Sequence, residues 1–144
     1  MNEFEEQLKA FTVLQRAAIA TQEATRKQIV ASNLNLTEFA VMELLYHKGD
    51  QPIQIIGKKV LIASSSITYV VDKLEQKGFV SRRACPTDRR VTFATLTDIG
   101  KEKIEAIFPA HAQKIAQLFE LLTDEETKTL TELLKRVGHH ATTL

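Results

Sequence analysis

Segment 64–77 has small hydroxyl side chains at its start and a lysine in its second half. If it is a helix with Ile67, Val71 and Leu74 facing a core, its polar side chains lie on the opposite, open face. Hydroxyl groups in the first turns of a helix can approach base edges and phosphates without steric conflict. The pattern favours a helix that reads the major groove of DNA, although an ordinary surface helix with a serine cap has the same pattern. The candidate contact residues are Ser64, Ser65, Ser66, Thr68, Tyr69 and Lys73.

A cluster of arginines follows this segment, in and beside the turn 85–90. Asp88 stands two positions before Arg90 in that turn. A carboxylate at this spacing can brace the guanidinium, which then projects as a fixed probe into a narrow minor groove. A solvated charge run is the other interpretation of the cluster. Asp88, Arg89 and Arg90 are the candidate DNA contacts, and Arg82 and Arg83 complete the cluster.

The charge of the chain is unevenly distributed. The formal net charge of the 144 residues is only +1. Positions 57–90 nevertheless hold eight basic and three acidic residues, a net +5, whereas the rest holds eleven basic and fifteen acidic residues, a net −4. A localised positive region of this kind is what phosphate binding requires.

Apolar periodicity and breaking residues place both clusters in an order of four helices, two strands and two helices. The two strands, joined by the basic turn, form a hairpin or wing. Before the hairpin, the predicted elements are a long helix over 2–32, a helix capped by Thr37 and stopped by Gly49, a short helix from Pro52, a tight turn at 61–63 and the helix 64–77. The hairpin strands are predicted at 79–84 and 91–96. A long helix from Thr97, which Pro109 should kink, and a last helix opened by the capping box of Thr123 and Glu126 complete the order.

The stretch from Ser64 to Lys101, SSSITYVVDKLEQKGFVSRRACPTDRRVTFATLTDIGK, resembles the signature of the MarR family. A serine-rich helix start, the VDKLEQKGFV passage, the DRR turn and the LTDIG helix start occur in the family's order and spacing. The preceding segment 36–45 matches as well, so the resemblance covers nearly the whole chain.

This resemblance implies a mainly α fold with a small β-hairpin wing (α+β). A winged helix-turn-helix core, about 34–97, would be flanked by dimerisation helices at about 1–33 and 98–144 within a single domain, 1–144. It also implies a homodimeric, sequence-specific transcriptional regulator, by family default a repressor, in which segment 64–77 contacts the major groove and Arg89 or Arg90 the minor groove of a pseudo-palindromic operator. The apolar seams of the flanking helices independently favour a homodimer, since one winged module cannot bury them alone.

Family members often release DNA when a small lipophilic or phenolic ligand binds between the dimerisation helices and the winged core. The apolar residues available for such a pocket are Phe11, Leu14, Phe39, Met42 and Tyr46, a stripe that is equally typical of a hydrophobic core. Cys85 is the single cysteine and lies in the wing, where neighbouring arginines could lower its pKa and make it redox-active; an inert thiol is the other interpretation.

Several other classes of protein are disfavoured. The chain has no glycine-rich phosphate loop, no paired carboxylates in an apolar setting and no nucleophile with a plausible base, so we expect no enzyme and no cofactor. The spacing of its four histidines does not predict a metal site. The absence of a signal-like start and of a long apolar run predicts a cytoplasmic protein that does not bind membranes. A helical protein–protein adaptor that uses the winged core remains the alternative function.

Overall fold

The computed structural model describes residues 3–60 and 64–144, with side chains throughout these ranges except at positions 64 and 65. The predicted turn at 61–63 lies outside the described residues. The described elements are α1 (Glu5–Val30), α2 (Leu36–Lys48), β1 (Gln51–Pro52), α3 (Ile53–Lys59), α4 (Ser64–Gln76), β2 (Val80–Ala84), β3 (Thr92–Leu96), α5 (Asp98–Leu118) and α6 (Asp124–Ala141).

The chain divides into two compact units, one that ends at His111 and one that comprises Ala112–Leu144. In the first unit a hydrophobic cluster joins side chains from α1 through α5 and from the sheet. The inward stripe predicted for α4 is confirmed, because Ile67, Val71 and Leu74 are each no more than 2% exposed. Other fully buried members of the cluster are Ile29, Val41, Met42, Ile56, Ala94 and Ile104.

The start of α2 differs from the prediction. Its cap is Asn35, not Thr37: the Asn35 side chain accepts a hydrogen bond from the Glu38 N–H at 2.7 Å, and Glu38 Oε1 accepts one from the Asn35 N–H at 3.0 Å. Asparagine is at least as good a cap as threonine, and only Asn35 has a glutamate three residues later to complete the capping box. The helix therefore begins one residue before Thr37, at Leu36.

The wing is part of a three-stranded antiparallel sheet with the strand order β1-β3-β2. The hairpin pairs Val80 with Leu96 and Arg83 with Phe93. The sequence patterns missed β1, which pairs Gln51 with Ala94. A two-residue strand that contains a proline shows no alternation, and proline is tolerated there because β1 lies at the edge of the sheet.

The start of α5 is held tightly against the end of α4. Gly78 ends α4 with a φ of +82°, which favours glycine, and its carbonyl accepts a 2.6 Å hydrogen bond from Thr97 Oγ1. Thr97 Oγ1 in turn accepts one from the Gly100 N–H at 3.0 Å. A Cβ atom placed on Gly100 would lie 2.0 Å from the Phe79 carbonyl oxygen, so only glycine permits this approach.

The last two helices agree with the predicted order. The helix α5 runs uninterrupted through Pro109. The predicted capping box of α6 is confirmed, because Thr123 Oγ1 accepts from the Glu126 N–H at 3.1 Å and Glu126 Oε1 accepts from the Thr123 N–H at 2.9 Å. In the described part of the chain no helix is long and apolar enough to cross a bilayer.

Replacing Gly100 by alanine should destabilise the fold, because the added methyl group meets backbone and the close approach of α5 is lost. Overpacking typically costs ~1–3 kcal/mol, so we expect the melting temperature to fall by about 5–10 °C. Gly138→Ala is the matched control: nothing lies within 4 Å of its Cβ position, and alanine favours a helix. Thermal unfolding of both variants tests this, and an unchanged melting temperature for Gly100→Ala would contradict the packing described here.

Candidate nucleic-acid interface

The outer face of α4 carries the polar residues that the sequence singles out. Burial of Ile67, Val71 and Leu74 on one side leaves Ser66 and Thr68 exposed on the other, and Tyr69 is 63% exposed. Ser64 and Ser65 open the helix, and their side chains lie outside the described residues. The face is therefore rich in hydroxyl groups and open to a partner.

Tyr69 and Lys73 lie one helical turn apart and contact each other. The Lys73 ammonium nitrogen is 5.5 Å from the centroid of the Tyr69 ring, within the range of a cation–π interaction. This contact keeps the phenol and the ammonium on the same face of α4. A donor for base edges and a charge for phosphates are thus presented together.

The wing turn holds one arginine in a fixed, exposed position. Asp88 Oδ1 accepts hydrogen bonds from the Arg90 backbone N–H at 3.0 Å and from Arg90 Nε at 3.2 Å. The backbone hydrogen bond, followed by that of the side chain, lowers the pKa of Asp88, so this carboxylate keeps its charge. The Arg90 side chain is nevertheless 90% exposed. The Arg90 side chain therefore projects from the turn, while its backbone N–H and its Nε are held by hydrogen bonds to Asp88.

Two arginines of the sequence cluster lie in β2 and are paired with acidic residues. Arg82 Nη2 is 2.6 Å from Asp72 Oδ1, and Arg82 Nη1 is 2.7 Å from Glu75 Oε1, so this guanidinium ties β2 to α4. Arg83 contacts Asp50 at 3.1 Å and lies over the Phe93 ring at 4.8 Å. Arg82 and Arg83 thus lie in the strand predicted at 79–84, and their guanidinium groups contact acidic residues outside the wing turn.

The predicted pocket residues fall in different environments. Phe39 and Met42 are buried in the core, whereas Phe11 is 61% exposed and Leu14 is half-buried on α1. Tyr46 packs against the core, and its hydroxyl donates to Glu105 Oε1 at 3.3 Å. Burial, and secondarily the Glu105 carboxylate, raise the pKa of Tyr46.

A polar pair that the sequence patterns missed lies beside Phe39. The His111 ring centroid is 4.5 Å from that of Phe39, and His111 Nε2 is 3.5 Å from Glu43 Oε2. The His111 side chain is only 14% exposed, and Nδ1 is buried without a hydrogen-bond partner among the described residues. The sequence spacing could have placed Glu43 on the same face of α2 as Phe39, which it follows by four residues. It could likewise have placed His111 on the same face of α5 as Phe108, which it follows by three.

Cys85 lies at the base of the wing turn. Its sulfur is 3.4 Å from Thr87 Oγ1, and this hydrogen bond is the main cause that lowers the pKa of the thiol. The direction agrees with the sequence-based expectation, but the cause is hydrogen bonding to Thr87 and not the neighbouring arginines. A redox role for Cys85 stays a prediction.

The chain is similar to known regulators over most of its length. The MarR family model matches residues 34–92. The chain is 56% identical over 137 residues to the HTH-type transcriptional regulator MhqR of Bacillus subtilis, with 95% of this chain and 94% of that protein covered. It is 41% identical over 139 residues to the uncharacterized HTH-type transcriptional regulator YkoM of the same organism, with 96% and 90% covered.

A solved structure shows the same architecture. Sco3205, a MarR family transcriptional regulator from Streptomyces coelicolor crystallised in complex with DNA, has a TM-score of 0.87 and 27% sequence identity, over 97% of this chain and 89% of that one. These relatives are regulators and not enzymes. The chain therefore belongs to the MarR family of winged helix-turn-helix, sequence-specific DNA-binding transcriptional regulators.

Proposed function

We propose that this chain binds a pseudo-palindromic operator as a homodimer, represses transcription there, and releases the DNA when a small lipophilic or phenolic ligand binds. Two exposed features carry the proposal: the hydroxyl-rich outer face of α4, and the Arg90 side chain, which is 90% exposed and hydrogen-bonded to Asp88. The helix would contact base edges and phosphates of the major groove, and the wing would reach the adjacent minor groove. The proposed major-groove contacts are Ser64, Ser65, Ser66, Thr68, Tyr69 and Lys73, and the proposed wing residues are Arg89 and Arg90 together with Asp88, which steadies Arg90.

Exposed apolar side chains on the flanking helices support the homodimer. On α1, Leu8, Phe11 and Ile19 are between 54% and 66% exposed. The helix α6 buries none of its residues within the chain, and its Leu133 and Val137 are 44% and 58% exposed. Apolar surface of this extent marks an interaction site. A twofold interface would cover it and place two recognition helices about one DNA turn, ~34–36 Å, apart.

Replacing Arg90 by alanine should weaken specific DNA binding by about tenfold or more, since a well-placed arginine contact contributes ~1–3 kcal/mol. The melting temperature should change little, because the side chain is 90% exposed and its ion pair with Asp88 lies at the surface. Fluorescence anisotropy on operator DNA measures the affinity. Arg16→Ala removes the same charge from an exposed site on α1 and is the matched control. Equal affinities for Arg90→Ala and wild type would remove the wing from the interface.

The polar pair of Glu43 and His111 refines the ligand proposal. A phenolic ring could stack near Phe39, while its hydroxyl donates to the Glu43 carboxylate or pairs with a His111 nitrogen. Phe11 and Leu14 on α1 would supply apolar lining. Met42 is fully buried in the core and Tyr46 is bound to Glu105, so their part would be to support the pocket wall. A hydroxylated aromatic molecule fits this combination better than a purely apolar one.

Phenol and toluene, in which the same ring carries either a hydroxyl or a methyl group, test this pocket. Phenol should release wild-type protein from DNA at a concentration about tenfold below that of toluene, since a hydrogen bond to a charged group contributes ~1.5–3 kcal/mol. Glu43→Gln and His111→Phe should each reduce this preference without reducing DNA affinity in the absence of the additive. Release is followed by anisotropy, with melting temperature as the control for folding. An undiminished preference for phenol in both variants would contradict the assignment.

A further inference from the structure

Lys77 follows α4 directly and forms a bridge to the junction of α1 and α2. Its ammonium nitrogen lies 2.9 Å from Glu38 Oε2 and 3.1 Å from Glu38 Oε1. It also donates to the Asn33 carbonyl oxygen at 3.1 Å. A lysine ammonium has three donors, and these acceptors match that number. The Lys77 charge is thus directed into the protein and not toward a DNA phosphate.

The carboxylate that accepts this bridge is buried and makes a further hydrogen bond. The Glu38 side chain is only 6% exposed, and its carboxylate also accepts the Asn35 N–H in the α2 capping box. Asn33 has a φ of +62° and donates its own N–H to Val30, the last residue of α1. One ammonium group therefore joins the end of α4, the start of α2 and the end of α1.

Resting on the dimeric binding proposed above, we infer that the Lys77–Glu38 pair is a positioning device that sets the half-site spacing the dimer accepts. The helix α1 carries exposed apolar residues assigned to the dimer interface, and α4 carries the DNA contacts. The bridge fixes the end of α4 relative to the end of α1. Adding one base pair moves a half-site by ~3.4 Å along the duplex, so a loosened junction would tolerate spacings that the intact one rejects.

Selection from a random double-stranded DNA library, read by sequencing, tests the inference with the full chain and needs no prior operator. Wild type should enrich paired half-sites at one spacing. Lys77→Met, which keeps the unbranched stem and removes the ammonium, should enrich the same half-site sequence over spacings that differ by one base pair or more. Its affinity for the wild-type spacing should fall about tenfold, as anisotropy would measure. Glu23→Gln is the matched control, since it breaks an exposed ion pair with Arg26 on α1.

A double variant separates positioning from folding. Lys77→Met alone leaves a buried carboxylate unpaired and lowers stability, whereas Lys77→Met with Glu38→Gln removes both charges. The melting temperature of the double variant should return toward that of wild type, while its range of accepted spacings should stay broadened. If the double variant regained both the melting temperature and the single spacing of wild type, the inference would be overturned, because the single variant would then act through stability alone.

Three further outcomes would contradict the inference or the dimeric mode on which it rests. If wild type and Lys77→Met select the same single spacing, the inference fails while the dimeric mode stands. A salt slope reduced by about one unit in Lys77→Met, with spacing unchanged, would make Lys77 a phosphate contact and likewise overturn it. If wild type itself selects isolated half-sites, the dimeric mode proposed above fails, and the inference fails with it.

Discussion

Burial of the apolar stripe of α4 is the constraint on which the proposed mode of DNA recognition depends. Ile67, Val70, Val71 and Leu74 are all no more than 8% exposed. Burying each such side chain stabilises the fold by ~1.5–3 kcal/mol, an upper estimate, whereas an exposed ion pair contributes only ~0–1 kcal/mol. The apolar stripe therefore sets the rotation of the helix about its axis, and that rotation decides which polar side chains face outward. The ion pairs that reach α4 adjust its ends but do not determine its face.

Charge in the central third of the chain has two separate uses. Arg82, Arg83 and Lys77 contact acidic residues within the protein and connect α4 or β2 to neighbouring elements. Lys73 lies beside Tyr69 on the outer face of α4, and Arg90 on the wing turn remains 90% exposed although it pairs with Asp88. The net +5 over positions 57–90 thus overstates the charge available to phosphates.

Features governed by local sequence could be predicted, and features governed by distant pairing could not. The inward stripe of α4 and the capping box at Thr123 follow from spacing within one or two helical turns, and both are confirmed. The cap of α2 was misplaced by two residues because Asn35 and Thr37 are both good caps. The bridge from Lys77 to Glu38 spans 39 positions, and no local pattern predicts such a partner. The same holds for His111 and Glu43, whose contact requires α2 and α5 to be packed together.

The most direct test of the account is fluorescence anisotropy of the purified protein on DNA from upstream of its own gene, against shuffled DNA of equal composition, over a series of salt concentrations. We expect one dimer per site, tight binding to the upstream DNA and much weaker binding to the shuffled DNA. The logarithm of the affinity should fall linearly and steeply with the logarithm of the salt concentration, because phosphate contacts release counterions. Equal binding to the two DNAs, or an affinity independent of salt, would contradict it.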